Sequence, residues 1–244
     1  MRQLVKKTLN RFFMKTISYR IVHDQMAVDY DIEVWKSLKV HGFTPQTFID
    51  VGAAQGVWTT QMLEIFPHAN YFMIDPLNEN ENALKAVTER CPNVQYWKGA
   101  VGSHAEELEF YVHGDQSSMF KSVWGREESL RRVPMKTLDG LVKEIHGGAA
   151  DGLKLDVQGA ELEVLKGADA TMRRCKVVQV EVSFRRIYDK APLAHEIIHF
   201  FAEQGFRIYD IASLYKRKDR ALLQTDLFFV KDDKLFEPET WEVT

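Results

Sequence analysis

The sequence predicts a doubly wound α/β domain, on three observations. From Thr47 onward, short apolar runs alternate with amphipathic stretches, the texture of a mostly parallel sheet with crossover helices on both faces. The first apolar run ends in a glycine-bearing turn that opens a helix, and the second ends on an aspartate, Asp75. Both features fall where open α/β sheets bind ligands, at the carboxyl ends of their strands.

Ahead of the sheet, Leu4, Val5, Leu9, Phe12, Phe13 and Ile17 recur at near-helical spacing opposite Arg2, Lys6, Lys7, Arg11 and Lys15. That pattern predicts a cationic amphipathic helix. Such a helix either lies peripherally on an anionic membrane surface or packs on the domain or on a second copy of the chain in a homo-oligomer. Residues 26–41 read as a second helix with Trp35 and Leu38 turned inward, so residues 1–46 form an N-terminal helical extension and residues 47–244 the main domain.

Within that domain TFIDV (47–51) is the first strand and a helix covers 57–66. YFMI (71–74) is the second strand, followed by a helix over 79–90 and a third strand over 94–97. The stretch 107–133 has a different character: ELEFYVH and RRVPM read as short strands around the loop HGDQSSMF, a β insertion beside the site. The wound pattern resumes with a helix at 138–145, a strand at 152–157, a helix at 160–166 and a strand at 177–182. A helix at 193–204 and strands at 206–211 and 226–230 close the chain, the last pairing antiparallel with its predecessor.

A chain of 244 residues, 45% apolar and 27% charged, is globular and long enough to bury one sizeable core. A formal charge of -3 gives no global footprint for nucleic acid. Arg126, Arg131, Arg132, Arg173, Arg174, Arg185 and Arg186, with the basic amino terminus, leave a local phosphate-facing patch open. Cys91 and Cys175 stand too far apart in sequence for a metal knuckle, which points to a reducing compartment. No apolar run is long enough for a secretory core or a membrane span, so the expectation is a cytoplasmic protein.

The loop Asp50-Val51-Gly52-Ala53-Ala54-Gln55-Gly56 follows the first strand. Gly52 permits a tight turn, and the small side chains of Gly52, Ala53 and Gly56 let a ligand approach a backbone whose helix start offers amides. The spacing is not that of the dinucleotide fingerprint, because the third residue of G-x-G-x-x-G falls on Ala54. Asp75 suits a ribose diol, its two carboxylate oxygens accepting from both hydroxyls, or else caps the helix after Pro76. Nicotinamide cofactors and adenosylmethionine both carry that diol.

The strings FIDVGAAQGVWT, YFMIDPLNENENALK, VPMKTLDGL and LKLDVQGAELEVLKGA, in this order, resemble the FkbM-type methyltransferases over about residues 47–185. The resemblance implies a class I methyltransferase sheet, S-adenosylmethionine as cofactor, and O-methylation of a hydroxyl on a sugar, glycan or secondary metabolite. It matches Asp50, Gly52, Ala53 and Gly56 to the cofactor loop and Asp75 to the acidic ribose ligand. Many members carry Glu where this chain has Asp75 and Gln158. The first difference keeps a carboxylate and the second removes one.

In Leu153-Lys154-Leu155-Asp156-Val157-Gln158, strand alternation puts Lys154, Asp156 and Gln158 on one side. This strand should lie beside the first across the switch point, which places Asp156 near the reactive end of the cofactor or, alternatively, as a cap on the next helix. Methyl transfer is an in-line displacement that depends on orientation, and a base that takes the acceptor's proton assists it. Asp156 is the first candidate for that base and Glu181 the second; Lys154 either acidifies the acceptor or neutralises the carboxylates. Ser117 and Ser118, in a polar set with His113 and Asp115, either hold the methionine carboxylate or an acceptor hydroxyl, or form an ordinary turn. Serines recur near this place in the resembling family. No spacing demands a metal.

Three other functions compete. A nicotinamide-dependent oxidoreductase would use the same strand, loop and acidic residue, and the glycine spacing argues against it. A catalytically inactive cofactor-binding partner subunit is opposed by the presence of Asp50, Asp75 and Asp156. An RNA methyltransferase would carry a motif such as N/D-P-P-Y where DVQG stands. The expected partner is therefore a small-molecule or glycan acceptor rather than nucleic acid.

Overall fold

The computed structural model describes residues 30–145 and 149–231. The amphipathic segment at 4–17 lies outside the described residues. Strand β1 (Thr47–Val51) is buried along its whole length, as a central parallel strand covered on both faces must be. It pairs in parallel with β2 (Asn70–Asp75) on one side and with β7 (Gly152–Leu155) on the other. Outside β2 lies β3 (Val94–Lys98); beyond β7 come β8 (Val177–Ser183), β10 (Leu222–Lys231) and β9 (Phe206–Lys216). The order β3-β2-β1-β7-β8-β10-β9 reverses direction between β1 and β7, and only β10 runs antiparallel to its neighbours. This is the expected doubly wound sheet with its switch point between β1 and β7.

Side-chain alternation divides the core into two layers. Ile49, Val51, Leu153, Leu155, Val178 and Val180 face helices α4 (Leu138–Glu144), α5 (Glu161–Lys166), α6 (Asp169–Arg174) and α7 (Ala194–Glu203). Phe48, Tyr71, Met73, Val177 and Phe228 face α1 (Asp31–Val40), α2 (Val57–Ile65) and α3 (Glu81–Arg90). Helix α1 was expected within the N-terminal extension with Trp35 and Leu38 turned inward, and both are fully buried, the Trp35 ring 5.3 Å from Phe48, 5.9 Å from Trp58 and 5.2 Å from Phe228. The indoles of Trp35 and Trp58 donate to the same Gln179 oxygen at 2.8 and 3.0 Å, and the Gln179 amide donates to Asp31 at 3.2 Å. The expected boundary at residue 46 thus falls inside one packed core. Among the described residues no helix is long and apolar enough to cross a membrane.

The β insertion is present and wider than expected. It begins directly after β3 with β4 (Ala100–Val101), which pairs in parallel with β6 (Ser129–Lys136); β6 in turn pairs antiparallel with β5 (Glu106–Val112). Two residues of strand carry no readable period, which is why the sequence placed the start at 107. This small sheet has its own core of Leu77, Ala100, Phe110, Val133 and Met135. Three further differences are local. Helix α6 is too short to show a helical period. Strands β9 and β10 run longer than 206–211 and 226–230, since exposed residues of an antiparallel edge blur the apolar signal. The strand expected to reach Val157 ends at Leu155, and Gln158 (φ 53°) and Gly159 (φ 93°) then turn the chain through the left-handed region.

Candidate active site

The carboxyl ends of β1, β2, β7 and β8 open into a cavity of about 370 Å³, a size that suits a small-molecule ligand. The first loop contributes Gly52 and Ala54, and β2 with its continuation contributes Ile74, Asp75 and Leu77. The insertion closes one wall with Phe110, Gln116, Ser117 and Met119, while Asp156, Gln158, Glu181 and Gln224 form the opposite end.

Gly52 has φ 81°, and a Cβ there would stand 1.8 Å from the Asp156 carbonyl oxygen. Glycine is therefore required by the neighbouring strand end, whatever ligand binds. The loop amides were expected to face a ligand, but most are taken up internally. Gly52 and Ala53 donate to the Ile74 carbonyl at 2.9 and 3.0 Å, Gly56 to Ala53 at 2.7 Å, and Ala54 to Asp75 Oδ2 at 2.9 Å. Ala53 packs into the core on the α2 side, and Gly56 sits against Met73 and Val87, so neither forms cavity wall.

Asp50 also lies beneath the cavity, 1% exposed. Thr59 donates to its Oδ2 at 2.8 Å, while Oδ1 takes no hydrogen bond among the described residues and stands 3.6 Å from the Lys154 ammonium. Burial raises its pKa, and Lys154 and Thr59 partly offset that rise. Of the residues matched to the cofactor loop, Gly52 reaches the cavity; Asp50, Ala53 and Gly56 support it from behind.

Asp75 is in the cavity wall with three of its acceptor positions taken. Its Oδ1 accepts from the Leu77 amide and from Asn80 Nδ2, both at 2.9 Å, and Oδ2 accepts from Ala54. A carboxylate has about four acceptor positions. Oδ1 is thus filled and Oδ2 keeps one, so the carboxylate can take one ribose hydroxyl on Oδ2 rather than both hydroxyls on two oxygens. Burial raises the Asp75 pKa, opposed by the three donors that hold it.

At the other end the Lys154 ammonium meets the charges of four carboxylates, Asp156, Asp50, Asp226 and Glu181. Lys154 Nζ lies 3.3 Å from Asp156 Oδ2 and 3.6 Å from Asp50 Oδ1. Burial disfavours its charge, but Asp156, Asp50 and Asp226 outweigh burial and hold its pKa above the ordinary lysine value. Lys154 does not line the cavity, so its place is that of a buried counter-ion rather than a group in contact with an acceptor. Gln158 Nε2 donates to Asp156 Oδ1 at 2.9 Å and to Glu181 Oε2 at 3.1 Å, and Gln224 Nε2 donates to the same Glu181 oxygen at 2.7 Å. The Glu181 pKa is pushed well up by burial first, then by the charges of Asp156, Asp226 and Glu161. Both candidate bases therefore reach the cavity side by side, joined by an amide.

The two serines serve the loop. Ser117 Oγ accepts from the His113 amide at 2.8 Å and donates to the Gly114 carbonyl at 2.6 Å, closing the turn on the cavity wall. Ser118, fully buried, donates to the Gln158 carbonyl at 2.7 Å and fastens the insertion to the loop after β7. The structure thus favours the turn reading over a direct ligand role for both hydroxyls. His113 turns its ring to the Glu127 carbonyl at 2.9 Å.

Sequence reasoning passed over Glu161, Asp226 and Tyr188. Glu161, 3% exposed, accepts from the amides of Val157 and Gly159 at 3.3 and 3.0 Å, and burial lifts its pKa to about 7. An acid in the first turn after a glycine is a readable capping signal. Asp226 sits opposite Glu181 in the β8–β10 register, and burial followed by Asp156 raises its pKa to about 6. Its signal was a lone charge at the head of the apolar run DLFFV. Tyr188 gave no signal: it reaches the site only through the tertiary fold.

A family model described as the methyltransferase FkbM domain matches residues 50–208. Among curated proteins, the 2-O-methyltransferase NoeI of Sinorhizobium fredii is 22% identical over an alignment 157 residues long that covers 58% of this chain and 65% of that protein. The chain thus spans about 65% of the length of that relative. Among solved structures, methyltransferase FkbM from Methylobacillus flagellatus is 18% identical with a TM-score of 0.49, covering 75% of this chain and 43% of its own. Magnesium protoporphyrin IX methyltransferase from Synechocystis, solved with bound S-adenosylmethionine, is 11% identical with a TM-score of 0.49 and covers 95% and 97% of the two chains.

Proposed function

The chain belongs to the FkbM methyltransferase family, and from that premise we propose that it transfers the methyl group of S-adenosylmethionine to a hydroxyl of a sugar, glycan or secondary metabolite. The observation that carries this reading is the polarity of the cavity. Its one end offers apolar surface from Ile74, Leu77 and Phe110 beside the remaining acceptor position of Asp75; the other offers the carboxylates of Asp156 and Glu181. The residues present fit an adenosyl group joined to a cationic sulfur, since apolar surface beside the single Asp75 carboxylate stands at one end and the two carboxylates of Asp156 and Glu181 at the other. Oxygen as the acceptor atom is supported by the likeness to a 2-O-methyltransferase.

Bound there, the cofactor would supply an electrophilic methyl group, whose bond to sulfur breaks with its electron pair returning to sulfur as the acceptor oxygen bonds to carbon. The chain's own work is to orient the acceptor, exclude water and receive the hydroxyl proton on a carboxylate oxygen of Asp156 or Glu181. Recognition of a sugar ring is supported by Trp124 on the insertion loop. It is 46% exposed, with the Arg126 guanidinium 4.9 Å over its ring, and Arg126 donates to the cavity-lining Gln116.

Two measurements test the proposal. Adenosylhomocysteine at about a hundred times its dissociation constant should stabilise the protein by about 3 kcal/mol, and NAD should not. Stabilisation by NAD alone overturns the cofactor. Labelled S-adenosylmethionine incubated with cell extract should then yield a methyl ether; label on nitrogen or carbon overturns the acceptor class.

A further inference from the structure

Gln158 occupies a conformation that an L-residue adopts at a cost, φ 53°, and its side chain lies between two cavity carboxylates. Each of the two amide hydrogens goes to a different acid, Asp156 at 2.9 Å and Glu181 at 3.1 Å. On the far side, Gln158 Oε1 lies 2.9 Å from the Tyr188 hydroxyl, whose proton is shared with the Gln116 carbonyl at 3.0 Å. The reverse amide orientation would set an oxygen between two carboxylates, so the surroundings select this one. The backbone carbonyl of Gln158 is held as well, by Ser118 at 2.7 Å.

We propose that Gln158 is a positioning residue for methyl transfer: its amide, oriented by Tyr188, holds the Asp156 and Glu181 carboxylates side by side on one uncharged donor. This inference rests on the functional reading above. Two carboxylates on one cavity end repel, and they relieve the repulsion either by taking up a proton or by sharing a neutral donor. The amide supplies the donor without adding charge. The groups that face the pair are Asp50 from β1, Lys154 from β7, Asp226 from β10, Glu161 from α5 and Gln224 from β10, with Tyr188 behind the amide. Lys154 is the one cation among them, and it sits on the Asp156 side. Glu181 therefore meets two neutral donors, Gln158 and Gln224, while Asp156 meets Lys154 as well as Gln158.

The charge on the pair can be read without any acceptor. S-adenosylmethionine and adenosylhomocysteine differ only by the sulfur-bound methyl and the positive charge it brings, so the change with pH in the ratio of their affinities reports negative charge at this end of the cavity. Calorimetry on the full chain across pH should show the parent protein preferring the cationic ligand, with the preference fading as Glu181 takes up a proton. In Gln158→Leu the midpoint of that fading should move up by about one pH unit, or about tenfold in the ratio at a fixed pH between the two midpoints. Tyr188→Phe removes only the hydroxyl that orients the amide, and should move the midpoint the same way by less. A midpoint that stays in place in both variants overturns the proposal. So does an equal loss of both affinities with a lower melting temperature, the mark of a merely structural role. Should Gln158→Leu fail to fold, Tyr188→Phe decides alone. A parent protein that binds neither ligand refutes the functional reading itself, an outcome separate from a midpoint that does not move.

Discussion

Replacing Glu161 by glutamine should flatten the dependence of stability on pH. The carboxyl is buried at the start of α5, and its Oε1 accepts the amides of Val157 and Gly159. Burial lifts its pKa from the ordinary 4.5 to about 7 in the folded protein. Below the lower value both folded and unfolded chains hold the proton, and the contribution is fully present. Between the two values the unfolded chain releases its proton while the folded one retains it, so stability falls as pH rises. At about 1.4 kcal/mol per unit, the loss across that window is about 3 kcal/mol. Glutamine keeps an oxygen for the same two amides and carries no proton to release. Urea denaturation of both proteins from pH ~4.5 to ~8.5 should give curves that converge in acid and part towards neutrality, with Glu161→Gln the more stable at the upper end. Asp226, lifted to about 6, titrates in both proteins and cancels in the difference. Parallel curves, or a variant that loses stability faster than the parent, would refute the burial of a protonated carboxyl.

Asp156→Asn should bind adenosylhomocysteine as the parent does, and lose about 10²- to 10⁴-fold in single-turnover rate with the acceptor found by labelling; full activity transfers the base to Glu181 alone. Gly52→Ala should lose stability on the order of 3 kcal/mol or more, because its Cβ meets the Asp156 carbonyl at 1.8 Å and φ is 81°. A melting temperature equal to the parent's would show that the two strand ends can part.

The winding of the sheet was legible because each central strand is an uninterrupted apolar run and each crossover helix is amphipathic. The switch point, the position of Asp156 beside it, and the antiparallel last strand all followed from that reading. What escaped was anything decided by a partner distant in sequence. Asp50 and Asp75 are both acids at strand ends, yet one is buried below Lys154 and the other lines the cavity; only the register of β7 and the turn at Leu77 distinguish them. Ser118 looked like a ligand residue because a hydroxyl in a polar loop carries no label for the backbone it will meet forty residues later. Gln158 looked like the loss of a carboxylate, and its gain, two hydrogens for two acids, appears only once Glu181 stands beside it.

The sharing of Gln179 by two indoles also gives the molecule an optical signature. Of the five tryptophans, Trp35 and Trp58 sit with ring centroids 5.9 Å apart at 72°, both locked to one oxygen in a dry layer. Transition dipoles that close couple to one another, and a rigid chiral arrangement turns that coupling into near-ultraviolet circular dichroism. Trp124, half-exposed on the insertion loop, should emit further to the red than the buried pair. The blue component therefore follows the seating of α1 against the sheet, apart from the insertion loop on which Trp124 stands.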